Sequence, residues 1–185
     1  MMGQTALIMK DVSVGVIGLG NVGSGALTIL SANAEQIAQK LGFRLRVAAV
    51  CSRSVNKITL PDGLGPDVIR TTDWREVVTN PHVDVVAELI GGTSVAREVI
   101  DGAIANGKSI VTANKELMAL CGADLWDRAI KANINLAMEA SVCGGIPIHA
   151  VLREGISGDR IVALAGILNG TSNYILTEIE KRGAA

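Results

Sequence analysis

Residues 18–23 read Gly18-Leu-Gly-Asn-Val-Gly23. The three glycines follow directly on a β-branched apolar run at 12–17. They lead into a stretch at 26–41 where Leu27, Leu30, Ile37 and Leu41 recur with helical period. A strand must therefore become a helix within a few residues. Gly18 permits the tight turn, Gly20 lets backbone approach a ligand, and Gly23 lets helix and strand pack closely. The first turn of the helix offers free N–H groups and a partial positive charge, which together suit a phosphate. The context predicts a dinucleotide pyrophosphate site; the alternative is a glycine-rich turn that holds no ligand.

The rest of the chain repeats the unit. Apolar runs at 45–50, 83–90, 109–113 and 134–139 read as strands. Stretches at 72–79, 94–106 and 117–132 read as helices, with Thr72 or Asp73 near the start of the first. The alternation implies an α/β fold with a doubly wound, Rossmann-type parallel sheet. Gly144, Gly145 and Pro147 interrupt it. A short helix at 148–155, a strand at 161–168 and a helix at 171–181 then read as the start of a second, α+β domain. The expected division is 1–147 for the dinucleotide-binding domain and 148–185 for the beginning of a second, incomplete domain.

Composition narrows the function classes. The aromatic side chains are Phe43, Trp74, Trp126 and Tyr174, so the core must be aliphatic, as in a sheet buried on both faces. So few aromatics argue against a binder that stacks single-stranded bases. The formal net charge is −1, with scattered Lys and Arg, which speaks against nucleic-acid partners. No stretch approaches the ~18 uncharged apolar residues of a membrane span, and the N-terminus lacks a secretory signal pattern. Cys51, Cys121 and Cys143 show neither disulfide nor zinc spacing, which suggests a reducing, cytoplasmic setting.

In an open parallel sheet, ligands sit beyond the carboxyl ends of the strands. The second strand ends at Cys51-Ser52-Arg53 without the acidic residue that holds ribose hydroxyls in NAD enzymes. Arg53, with Lys57 close by, is either a partner for the 2′-phosphate of NADP or a solvated loop residue. The residues leave both open, with a tilt toward NADP or dual use. Gly91, Gly92 and Thr93 follow the third apolar run and let backbone lie against a cofactor. Lys115 follows the fourth, where an ammonium group can stabilise a developing alkoxide or donate a proton. Glu116 reads as a first-turn helix residue. Glu139 ends the fifth run; the glycine-rich turn beyond it offers carbonyls to a hard cation, but the residues alone favour a structural carboxylate. Cys143 lacks a convincing base, since His82 and His149 are poorly placed, and reads as a buried core thiol.

Five segments resemble homoserine dehydrogenase in that family's order and spacing. They are Gly18-Leu-Gly-Asn-Val-Gly-Ser-Gly25, Glu88-Leu-Ile-Gly-Gly92, Val111-Thr-Ala-Asn-Lys-Glu-Leu-Met-Ala119, Glu139-Ala-Ser-Val-Cys-Gly-Gly-Ile-Pro-Ile148 and Gly166-Ile-Leu-Asn-Gly-Thr-Ser-Asn-Tyr-Ile-Leu176. The last three are the most specific. The resemblance implies interconversion of L-homoserine and L-aspartate 4-semialdehyde with NAD(P), in the threonine, methionine and isoleucine branch of biosynthesis. It implies that Leu19, Asn21 and Val22, with Gly18, Gly20 and Gly23, lie on the cofactor phosphates. It places Thr93 and Lys115 near the nicotinamide. It also implies a sodium site at Glu139, Val142, Gly144 and Ile146, mostly through carbonyl oxygens. The family's chain continues past position 185 with its acidic substrate residues and a second lysine. The expectation is thus a fragment, inactive alone, of a protein that is a homodimer at full length. Another NAD(P)-dependent reductase of amino-acid metabolism and a stand-alone cofactor-binding sensor are the alternatives. The first leaves the 166–176 segment unexplained; the second lacks a basic DNA-binding element.

Overall fold

The computed structural model describes residues 10–166 and 169–183. The chain divides into two compact units, with the boundary between Met138 and Glu139. In the first, six parallel strands form one sheet: β1 (Asp11–Ile17), β2 (Arg44–Cys51), β3 (Ile69–Thr71), β4 (Val85–Glu88), β5 (Ser109–Thr112) and β6 (Leu136–Ala137). Their order is β3-β2-β1-β4-β5-β6, so the chain reverses its direction of travel across the sheet between β1 and β4. Such a reversal opens a crevice at the carboxyl ends of the two strands. This is the expected doubly wound sheet, with β3 added as a short edge strand whose three residues carry no periodic signal.

The helices are α1 (Asn21–Ala32), α2 (Ala34–Leu41), α3 (Trp74–Val78), α4 (Ser94–Ala105) and α5 (Lys115–Lys131). Two aliphatic cores lie on the two faces. Val14, Val16, Leu19, Leu27, Val47, Val50 and Val55 pack on the α1 face. Ile17, Val77, Val86, Val99, Ile100, Ile110, Leu117 and Leu125 pack on the face of α3, α4 and α5. β2 serves both, and its register with β1 slips by one residue, from Val14 opposite Val47 to Gly15 opposite Ala49. The extra residue flips the alternation, so Val47 and Val50 share one face and Ala49 and Cys51 the other.

The structure departs from the expected elements in several places. The single helix at 26–41 is two helices. Asn33 at the junction makes the ordinary helical bond from its backbone N–H to the Ile29 carbonyl (3.0 Å), but its side-chain amide competes for the same carbonyl (3.3 Å) and its backbone, at φ −115° and ψ 18°, leaves the helical region. The strand expected at 134–139 is only Leu136–Ala137, and Glu139 lies in a 3-10 turn after it. In the second unit, α6 (Ile148–Ala150) continues as a π-helical turn (Val151–Gly155), and α7 (Gly170–Arg182) is capped by Asn169. The segment 161–166 is irregular where a strand was expected, and the rest of that expectation, 167–168, lies outside the described residues. Among the described residues, no strand pairs with it, and a strand without a ladder leaves its backbone groups to solvent. Among the described residues, no helix is long and apolar enough to cross a membrane.

Ile100 is fully buried between α4 and the sheet. Ile100→Ala should cost about 2–5 kcal/mol in urea unfolding. Burial, then Asp73 and Glu76 nearby, pushes the Cys51 thiol up to about 11. Thiolate is the reactive form. At about pH 8, iodoacetamide should therefore label Cys121 and Cys143 in the native protein and Cys51 only after unfolding. Equal native labelling of all three would contradict this placement.

Candidate cofactor site

The crevice is built around the turn from β1 to α1. Gly18 has φ +105°, and its N–H donates to the Cys51 carbonyl of β2 at 2.9 Å. A Cβ on Gly18 would lie 2.4 Å from the Leu89 carbonyl oxygen, just beyond β4. A Cβ on Gly23 would lie 1.8 Å from the Gly18 carbonyl oxygen. These two glycines are required by the protein's own backbone. Gly20 differs: a Cβ there would meet nothing within 4 Å. Its space opens outward, at the N-cap of α1. No side chain caps this helix, and its first turn carries no acidic residue. The N–H groups of Asn21, Val22 and Gly23 are first-turn donors of the kind that bind phosphate. Asn21 and Val22 are exposed. The Leu19 side chain is buried in the core, so only its backbone faces this turn.

Arg53 lies in the turn after β2 and is exposed, as is Lys57. The turn is shaped by the Ser52 hydroxyl, which accepts from the Ser54 N–H at 3.3 Å. Among the described residues, Arg53 makes no ion pair with any carboxylate. Its guanidinium is thus unclaimed, and its planar fork can pair with a phosphate.

On the other side of the reversal, β4 and β5 end in a connected polar cluster. Glu88, at the end of β4, is fully buried. Its Oε1 accepts from the Ile90 N–H at 2.9 Å, and its Oε2 accepts from the Thr112 hydroxyl at 2.6 Å. The Thr112 oxygen also accepts from the Asn114 N–H at 3.0 Å. The Asn114 amide donates to the Gly92 carbonyl at 2.6 Å, and its Oδ1 accepts from the Leu117 N–H at 3.1 Å, capping α5. Gly91 and Gly92 both have positive φ, +79° and +70°. The cluster therefore holds the Gly91–Gly92 turn at both ends, and it starts the helix whose first residue is Lys115. Glu88, Thr112 and Asn114 carry no functional signal of their own in the sequence beyond the motifs that contain them. The available signal was a carboxylate inside the apolar run 83–90, because such a group must find partners.

Lys115 is exposed and, among the described residues, makes no ion pair. It stands at an N-terminus, where the helix dipole opposes a cation and favours Glu116 beside it. An ammonium group in that position is well suited to an incoming oxyanion. Thr93, the N-cap of α4, is half-buried. Gly18, Gly20, Gly23, Arg53, Gly91, Gly92, Thr93 and Lys115 thus all lie beyond the carboxyl ends of the strands of one sheet.

Glu139, Val142, Gly144 and Ile146 belong to the second unit. They lie in a compact turn where the Val142 N–H donates to the Glu139 carbonyl at 3.3 Å and the Ile146 N–H to the Cys143 carbonyl at 2.8 Å. Cys143 has φ +52° and is half-buried in this turn, which corrects its reading as a core thiol. Among the described residues, no three His, Cys, Asp or Glu side chains converge as metal ligands.

Gly23→Ala should lower stability by about 3 kcal/mol, because backbone must move to admit the methyl group. Gly20→Ala should lower it by ~1 kcal/mol or less, because it alters only the cap. Thermal unfolding of both variants checks the contrast, and equal losses would refute it.

Residues 18–139 match the family described as homoserine dehydrogenase, NAD binding domain, and residues 147–185 match homoserine dehydrogenase. The homoserine dehydrogenase of Neisseria gonorrhoeae is 46% identical over 177 residues, covering 96% of this chain and 40% of that protein. That of Pseudomonas aeruginosa is 45% identical, covering 95% and 39%. The crystal structure of a homoserine dehydrogenase from Thiobacillus denitrificans superposes with a TM-score of 0.85 at 46% identity, covering 96% of this chain and 40% of that one. The chain spans about 40% of the length of these relatives. With the NAD-binding match extending over more than half of its residues, the chain belongs to the homoserine dehydrogenase family.

Proposed function

We propose that this chain forms the cofactor-binding part of an enzyme that interconverts L-homoserine and L-aspartate 4-semialdehyde, using NADP in preference to NAD. The carrying observation is the β1–α1 turn: Gly18 and Gly23 are closed by the protein's own backbone, while Gly20 faces open space at an uncapped helix start. That is the shape a pyrophosphate needs. Asn21 and Val22 offer their N–H groups to the same phosphates. The sheet order divides the crevice into two mononucleotide halves. The β1–β2–β3 half takes the adenosine, with Arg53 on its 2′-phosphate. The β4–β5–β6 half takes the nicotinamide, against Gly91, Gly92 and Thr93.

When bound, the nicotinamide gives or takes the hydride. Lys115 faces the substrate oxygen and stabilises the negative charge that develops there. Its position against the helix dipole makes an oxyanion a favourable partner. The turn at Glu139, Val142, Gly144 and Ile146 would hold sodium; one carboxylate with carbonyl oxygens suits a hard ion. The match at 147–185 favours this reading over a stand-alone cofactor module, since that segment belongs to the family beyond its NAD-binding domain. The working form is a cytoplasmic homodimer, consistent with three free cysteines.

Fluorescence titration with NADPH and NADH tests the reading. The chain should bind NADPH more tightly. Arg53→Ala should weaken NADPH by about 10–100-fold, the worth of charge-assisted hydrogen bonds, and leave NADH unchanged. Preference for NADH would remove Arg53 from the site, and binding of neither would defeat the cofactor assignment of this chain.

A further inference from the structure

We infer that Asn114, through Thr112 and Glu88, is a positioning residue that holds the nicotinamide-side turn and Lys115 in one fixed relation. The inference rests on the cofactor reading above. A turn with two successive residues at positive φ has no regular hydrogen-bond ladder to hold it, and Gly91 and Gly92 are both exposed. Its hold comes from either end. At the start, the Ile90 N–H is tied to Glu88 Oε1 at 2.9 Å. At the finish, the Gly92 carbonyl is tied to Asn114 Nδ2 at 2.6 Å. Both ties lead to the same place, because Glu88 Oε2 and the Asn114 N–H meet at the Thr112 hydroxyl, at 2.6 and 3.0 Å.

The polarity of the chain of bonds is determined. Glu88 accepts twice, and its carboxylate lies buried where an unpaired oxygen is costly. Thr112 donates its one proton to Glu88 and so can only accept from Asn114. Asn114 then has both side-chain atoms committed: Oδ1 caps α5 at Leu117, and Nδ2 holds Gly92. One amide group thereby fixes the carbonyl of the turn and the first turn of the helix that starts at Lys115. A shift of the turn relative to Lys115 must break at least one of these bonds. The Asn114 bonds, to Gly92 and Leu117, reach neither Arg53 nor the glycines of the β1–α1 turn; it is the Ile90 end of the cluster that lies against Gly18. The effect of Asn114 should be confined to the nicotinamide half.

Asn114→Asp separates the two duties. Asp caps a helix as well as Asn does, so α5 is retained. The donor to Gly92 is lost and replaced by an oxygen facing a carbonyl. The probes are NADPH and 2′,5′-ADP, which has the adenosine half with its 2′-phosphate and no nicotinamide. N114D should bind NADPH about tenfold more weakly, the loss of one good hydrogen bond, and 2′,5′-ADP as the unaltered chain does. Amide exchange without ligand should rise about tenfold or more at Ile90, the hydrogen-bonded amide of the turn, and stay unchanged in β1 and β2. Thr112→Val should show the same selective loss, and Thr112→Ser should restore binding. Unchanged NADPH affinity, or equal loss of both ligands, overturns the inference. If the unaltered chain binds neither ligand, the cofactor reading falls and the exchange measurement decides alone: faster exchange at Ile90 with β1 and β2 unchanged upholds the coupling, and unchanged exchange refutes it.

Discussion

One backbone residue joins three strands of this protein. Gly18 follows β1, donates its N–H to the Cys51 carbonyl at the end of β2, and leaves no room for a Cβ against the Leu89 carbonyl beyond β4. Its own carbonyl lies against Gly23 of α1. The reversal of the sheet is therefore a backbone contact, not a gap filled by side chains. Only a residue without a Cβ, at positive φ, satisfies it. Because Gly18 and Gly23 are closed and Gly20 is open, Gly20 marks where a ligand can approach the β1–α1 turn.

The two halves of the crevice are built by different means. The side proposed for the adenosine is backbone and helix dipole, with one exposed arginine. The side proposed for the nicotinamide is a buried polar cluster in which a carboxylate, a hydroxyl and an amide satisfy one another and two turns. A buried network of this kind is costly when incomplete and rigid when complete. That rigidity suits the half where a reacting carbon must be placed, since small displacements there cost rate. The flexible group is left to Lys115, whose long stem reaches beyond the helix start.

The long elements were legible because their period is strong. The strands at 12–17, 45–50 and 109–113 and the helices at 94–106 and 117–132 agree with β1, β2, β5, α4 and α5 within one or two residues. The failures have specific causes. Asn33 broke the 26–41 helix through a local side-chain bond that periodicity does not register. β3 has three residues and owes its existence to its pairing with β2. The expected strand at 161–166 has the right residues, but strand structure requires a partner, and among the described residues it has none.

The site divides in the same way. The glycine turn, Arg53 and Lys115 could be located from the sequence, because strand ends and helix starts follow from order along the chain. Glu88, Thr112 and Asn114 could not be joined, since they lie 24 and 26 residues apart along the chain and meet only when β4 and β5 pair. The sequence by itself determined the fold class and the β1–α1 turn, because glycine spacing and hydrophobic period act over a few residues. Only the tertiary structure decided which polar groups satisfy one another at the strand ends, because hydrogen-bond partners across a sheet are set by register, and register is a property of the assembled strands.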